Sequence, residues 1–156
     1  MEEFIRNIGL DGALMGLDLG EKTIGVAVSD TRRSVATGIK TIKRTKFHQD
    51  LKILMQVIED RDIKGVILGL PKNMNGTEGP RCQSTRAFAK NMSVTVLLPI
   101  TFWDERLSTV AAERSLIEAN ASRRRRAEVI DYVAASFILQ GVLDRVLAIK
   151  IKGLSS

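Results

Sequence analysis

The spacing of apolar and polar positions changes several times along the chain, and each change marks an element. An apolar run from Ala13 to Leu19 contains Asp18 near its end and stops at Gly20. A Val- and Ile-rich run, Thr23 to Ser29, follows after only Gly20-Glu21-Lys22. These are two predicted strands, and so short a link forces them to pair antiparallel. A third strand around Ala36 to Ile42 extends the meander. Phe47, Leu51, Leu54, Met55 and Ile58 recur at helical spacing, which predicts an amphipathic helix over Phe47 to Asp60. Gly65 to Leu70 is wholly apolar, as a buried parallel strand would be, and Pro71 ends it. Asn73 to Pro80 carries Asn-Gly and Gly-Pro and reads as a loop, followed by a helix near Cys82 to Asn91. Of the two runs flanking Pro99, Ile100 to Trp103 is the better strand, and it leads into Asp104-Glu105-Arg106. Ser108 is placed to cap a helix running to about Ala119. Val129, Ile130, Val133, Ala134, Phe137, Ile138, Gly141 and Val142 form the broad apolar face of the last and longest helix. The tail from Lys150 is polar and expected to fray. Three strands, then alternating helices and strands, predict a mixed α/β sheet with helices on its faces.

The composition narrows the function. At 156 residues the chain is the size of one compact domain. With 44% apolar and 27% charged residues it is globular rather than disordered. Aromatic residues are only 4%, which argues against an extended stacking platform for single strands. The net charge of +6 favours anionic partners, of which nucleic acid is the commonest large one. Cys82 and His48 are the only residues of their kinds. An intramolecular disulfide, a cysteine zinc cluster and a histidine-rich metal site are therefore excluded. Any bound metal must be held by oxygen, which points to Mg²⁺ or Mn²⁺. His48 reads as a solvated surface residue. No apolar run is long enough to span a bilayer, and Glu2 and Glu3 stand where a signal peptide would not have them. A cytoplasmic protein without a membrane partner is expected.

Three acids fall at suggestive places: Asp18 at the end of the first strand, Glu105 after a later strand, and Asp131 near the start of the final helix. Asp104, beside Glu105, is an alternative to it. Each has an ordinary structural reading. Asp18 can start a turn, Glu105 can pair with Arg106 or Arg114, and Asp131 can sit at a helix start where the dipole favours acids. Ala134 and Ala135, one turn after Asp131, let the helix approach the sheet closely and weaken the last of these readings. If the carboxylates converge, binding a divalent cation relieves their repulsion, and such ions clamp the oxygens of a phosphodiester. Arg123, Arg124, Arg125 and Arg126 directly precede the final helix and suit phosphate contacts as well as a solvated loop. Lys22, Lys72 and Arg106 are the other basic residues beside the candidate motifs. The loop from Gly69 to Pro80 leaves the C-terminal end of an apolar strand, where open α/β sheets bind ligands.

Four blocks carry a resemblance to a known family. They are Gly16-Leu17-Asp18-Leu19-Gly20-Glu21-Lys22-Thr23-Ile24-Gly25-Val26-Ala27, the loop from Gly69 to Pro80, Asp104-Glu105-Arg106-Leu107-Ser108-Thr109, and Ile130-Asp131-Tyr132-Val133-Ala134-Ala135 running on to Ile138-Leu139-Gln140. In this order they resemble the YqgF (RuvX) family of Holliday junction resolvase-like proteins and pre-16S ribosomal RNA nucleases. The resemblance covers about Leu14 to Leu143. It implies a single ribonuclease H-like domain over the whole chain, with its core at about Ala13 to Arg145 and flexible termini. Its five-stranded sheet is an antiparallel meander of three strands followed by parallel ones, and the first strand is central. It implies Asp18, Glu105 and Asp131 as catalytic acids and metal ligands. Thr23 stands where a second basic residue is expected after Lys22, so a phosphate contact is lost; Asn75 stands where the loop often has Asp.

The resulting expectation is a metal-dependent nuclease acting on structured nucleic acid, first of all in 5′ maturation of pre-16S ribosomal RNA and second as a resolvase of branched DNA. Two other classes remain open on the sequence. One is an ATP-binding protein of the actin and sugar-kinase type, for which the chain is too short to form two lobes. The other is a noncatalytic nucleic-acid-binding module, which keeps the basic surface and needs no metal.

Overall fold

The computed structural model describes residues 1–107 and 123–154, and the side chains of all of these except 123–129 and 154. The helix expected over Ser108 to Ala119 lies outside the described residues. The strands are β1 (Leu14–Leu19), β2 (Thr23–Ser29), β3 (Ala36–Lys43), β4 (Gly65–Leu70) and β5 (Ile100–Asp104). The helices are α1 (Glu2–Asn7), α2 (Phe47–Arg61), α3 (Pro80–Thr95) and α4 (Arg123–Leu154), and Glu105–Leu107 forms a single 3-10 turn after β5. The five strands form one sheet in the order β3-β2-β1-β4-β5. The short Gly20 turn makes β1 and β2 antiparallel, and β3 continues the meander antiparallel to β2. β4 runs parallel to β1, and β5 parallel to β4. β1 is therefore central and buried throughout, as expected.

Alternation along each strand divides the interior into two layers. On one face Met15, Leu17, Ile24, Val26, Val66 and Leu68 pack against Leu51, Leu54 and Val57 of α2 and Phe88 and Met92 of α3. On the other face Leu14, Ala27 and Ile67 meet Ala134, Ala135, Ile138, Leu139, Val142 and Val146 of α4. The helices thus sandwich the sheet, and the apolar stripe of α4 is explained by burial.

Three details differ from the pattern-based reading. The N-terminal segment, expected to be flexible, forms α1 and buries Phe4 and Ile8 in the α4 layer. Arg33 secures this segment by donating to the carbonyls of Ile8, Gly9, Asp11 and Gly12 at 2.8 Å each. The alternation of a short helix and a turn carries little periodic signal, and a buried arginine on four carbonyls carries none. At the other end α4 continues through the polar tail to Leu154. By length and composition its stretch Ile130–Gly153 is also apolar enough to cross a membrane, contrary to the expectation that no run would be. Its buried residues face the sheet, which accounts for that composition without a bilayer.

Candidate active site

The site is built on one transverse row of the sheet. Asp18 on β1 lies opposite Gly25 on β2. On its other side β1 and β4 pair through Leu17 and Leu68, so the next residue of β4, Gly69, continues the row, and Gly69 pairs with Trp103 of β5. All four positions face α4. Asp18 is only 3% exposed, between two residues without side chains.

Those two glycines leave room for the other acids. A methyl group on Gly25 would collide with the main-chain carbonyl of Asp131, so α4 lies directly on the strand there. A methyl on Gly69 would come within 2.7 Å of Glu105 Oε1 and 2.5 Å of Ile138 Cδ1. The space beside Asp18 that a side chain at residue 69 would fill is thus occupied by the Glu105 carboxylate. Gly16, two residues back along β1 on the same face, allows the same close approach by Leu139.

Strand parity separates Asp104 from Glu105. Trp103 packs in the α4 layer and Phe102 in the opposite one, so Asp104 turns away from α4 and Glu105 turns toward it. Asp104 is engaged by Arg106, whose Nη2 donates to Oδ2 at 2.6 Å and whose backbone N–H donates to Oδ1 at 3.0 Å. The guanidinium beside it holds the Asp104 carboxyl below its ordinary range, with the backbone N–H adding to the effect. Arg106 also donates to the Met74 carbonyl at 3.3 Å, tying the 3-10 turn to the Gly69–Pro80 loop. That loop is bonded internally, with Asn73 Nδ2 donating to Thr77 Oγ1 and Thr77 Oγ1 to Asn75 Oδ1.

Asp131 lies eight residues into α4 from Arg123, about two turns, so a helix-start reading of this acid fails. Its Oδ2 accepts a 2.6 Å hydrogen bond from Thr23 Oγ1. Among the described residues no three acidic, histidine or cysteine side chains form a ready-made metal cluster. The carboxylates of Asp18 and Glu105 lie on the α4 face of the sheet, and the Asp131 backbone crosses that face at Gly25. Their donor chemistry nonetheless suits a hard divalent ion, since every candidate ligand is an oxygen. The cradle over Gly69 keeps Glu105 beside Asp18.

Lys22 is exposed on the β1–β2 turn, and Lys72 is half-buried on the loop near Asp104. Arg123 to Arg126 are helical, as part of α4 rather than a loop before it; their side chains lie outside the described residues. Beside the β1–β2 turn a groove of about 790 Å³ is lined by Gly20, Glu21, Arg44, Arg81 and Ser84, among others.

This order of motifs and this fold have known counterparts. The RuvX family, described as Holliday junction resolvase, matches residues 12–145. The chain belongs to the RuvX family. Two relatives, both named pre-16S rRNA nuclease, are each 63% identical. One is from Ruegeria sp. (strain TM1040), over 149 residues and covering 96% of this chain and 95% of the relative. The other is from Rhodobacter capsulatus, covering 93% and 91%. Among solved structures, Thermus thermophilus RuvC superposes with a TM-score of 0.52 at 10% identity, over 87% of this chain and 96% of that one. T. thermophilus RuvC in complex with a Holliday junction substrate gives 0.51 at 9% identity, over 84% and 93%. The fold is ribonuclease H-like, and by family the chain is a nuclease, a hydrolase of phosphodiester bonds.

Sequence reasoning within the RuvX resemblance named Asp18, Glu105 and Asp131 as candidates but missed their surroundings. Thr23 registered only as a missing cation, whereas it grips Asp131. Gly25 and Gly69 registered as strand residues, although their lack of side chains makes the site. A glycine on a strand can mark close backbone approach, and that was the one signal available. Arg44 and Arg81 carried no motif and emerge only from the groove they share.

Proposed function

We propose that this nuclease cleaves structured nucleic acid with a divalent cation, Mg²⁺ or Mn²⁺, held by Asp18, Glu105 and Asp131, and that its substrate is the 5′ region of pre-16S ribosomal RNA. The observation that carries the reading is the row Gly25–Asp18–Gly69. It is a central carboxylate flanked by two glycines, with the Asp131 backbone over one and the Glu105 carboxylate over the other. When bound, the cation supplies Lewis-acid stabilisation of the charge that develops on the phosphoryl oxygens.

The chain's own residues do the rest. Asp18 is fixed by its place in the centre of the sheet, so the site has one rigid reference point. Asp104 holds Arg106 and thereby the turn that presents Glu105; its role is positioning, and Glu105 rather than Asp104 is the proposed ligand. Lys22, Lys72 and the arginines at the start of α4 supply positive charge for the phosphate backbone, and Arg44 and Arg81 extend it along the groove. These contacts set register and not sequence preference. The proposed substrate is made in the cytoplasm, and the reading places the protein there. Relatives named for pre-16S rRNA favour RNA over the branched DNA of the family description.

The test compares a structured pre-16S rRNA fragment with a four-way DNA junction, each with and without Mg²⁺ or Mn²⁺. Metal-dependent cleavage of the RNA is expected. Cleavage of the junction alone would move the substrate to DNA, and cleavage that persists in chelator would overturn the metal site.

A further inference from the structure

Thr23 follows Lys22 at the turn after β1, and the structure gives its side chain a definite contact. It opens β2, and its carbonyl accepts from the Gly20 N–H at 2.8 Å, closing the turn after β1. Its side chain points to the α4 face, as does that of residue 25 two positions on. β2 therefore touches Asp131 twice. Gly25 receives its main-chain carbonyl, and Thr23 Oγ1 donates to its Oδ2 at 2.6 Å across 108 residues of sequence.

We propose that Thr23 is a positioning residue for the metal site. It fixes the rotamer of Asp131 through Oδ2, so that Oδ1 is the oxygen best presented to the cation. The proposal rests on the metal reading given above. Three physical points support it. A short hydrogen bond to an ionised carboxylate is among the strong ones. A β-branched side chain has few rotamers, so the hydroxyl is itself held in place. Outer hydrogen bonds of this kind orient a carboxylate ligand, and their loss typically weakens metal binding about 10- to 100-fold. The hydroxyl is not needed to dock α4, which is secured by Ala134, Ala135, Ile138, Leu139 and Val142 on the sheet.

The experiment is a titration of the full chain with Mn²⁺, reading free Mn²⁺ by its electron paramagnetic resonance, for the parent, Thr23→Val, Thr23→Ala, Thr23→Ser and Asp131→Asn. Metal-free urea unfolding is followed in parallel. The Val and Ala variants are expected to bind Mn²⁺ about 10-fold or more weakly than the parent, with Ser restoring most of the affinity. Their metal-free unfolding midpoints should fall only by the loss of this one hydrogen bond, with the transition remaining cooperative. If Val and Ala bind as tightly as the parent while Asp131→Asn binds weakly, Thr23 does not position the ligand and the proposal is wrong. If Asp131→Asn also binds like the parent, Asp131 is not a ligand; the metal reading then fails, and this proposal with it.

Discussion

The two faces of the sheet solve different problems with the same strands. Toward α2 and α3 the sheet presents Met15, Leu17, Ile24, Val26 and Leu68, all large and close-packed against large partners. Toward α4 it presents Gly16, Gly25, Gly69 and Asp18, and the helix comes down nearly onto the backbone. The first face buries apolar area, the dominant favourable contribution to folding. The second gives up part of that area to let the Asp131 backbone and the Glu105 carboxylate approach the strands beside Asp18. Stability and chemistry are therefore separable by face, and substitutions can test the separation.

The largest effect is expected at Asp18. Asp18→Asn is nearly isosteric, so it should leave the urea midpoint close to the parent's while lowering cleavage by at least about 100-fold, the upper end seen for groups that merely support metal ligands. Nucleic-acid affinity should persist, since the basic residues supply it. An Asn variant that cuts like the parent would erase the distinction between the faces. The reciprocal change is Leu54→Ala on α2, which removes a fully buried side chain. It should cost about 2–5 kcal/mol while cleavage per folded molecule stays the same; loss of cleavage in molecules shown to be folded would mean that the faces are coupled.

Gly25→Ala should sharpen the comparison, because it adds only one methyl group. That methyl meets the carbonyl of Asp131, and α4 must shift to accept it. Overpacking of this kind costs about 1–3 kcal/mol, and the same shift should displace Asp131 and depress cleavage. Stability loss with full activity would show that the close approach serves packing alone.

The smallest effect concerns acid. Asp104 is held below its ordinary range chiefly by Arg106, so the folded state favours the ionised form. The contribution is complete above the ordinary carboxyl value near 4 and disappears as the pH falls through the depressed one. Asp104→Asn should therefore reduce the loss of stability between about pH 4 and lower values, measured as the urea midpoint against pH. Identical pH profiles would mean that the pair contributes nothing, as many exposed pairs do.

The sequence made some of this legible and hid the rest for physical reasons. The meander, β4, β5 and α2 were readable because each buries a face with its own period, and the turn at Gly20 fixed the antiparallel start. Asp18, Glu105 and Asp131 stood out as candidates because each lies inside a recognisable block. Which of Asp104 and Glu105 turns toward α4 was not readable, since it depends on which face Trp103 takes, a property of the assembled sheet. The roles of Thr23 and Gly25 were hidden for the same reason: both act on a residue more than a hundred positions away. α1 was missed because its one strong anchor is Phe4, and the residue that ties the segment down, Arg33, lies beyond β2.

The bond between Thr23 and Asp131 also sets a clock. Domains begin to form during synthesis, which proceeds at about 5–20 residues per second, so roughly 5–20 s separate the making of the two partners. In that interval the meander and α2 can assemble from local contacts, but the face carrying Asp18 has no α4 to cover it. If Asp131 is a ligand as proposed, a nascent chain is an unarmed nuclease until the final helix has emerged and docked.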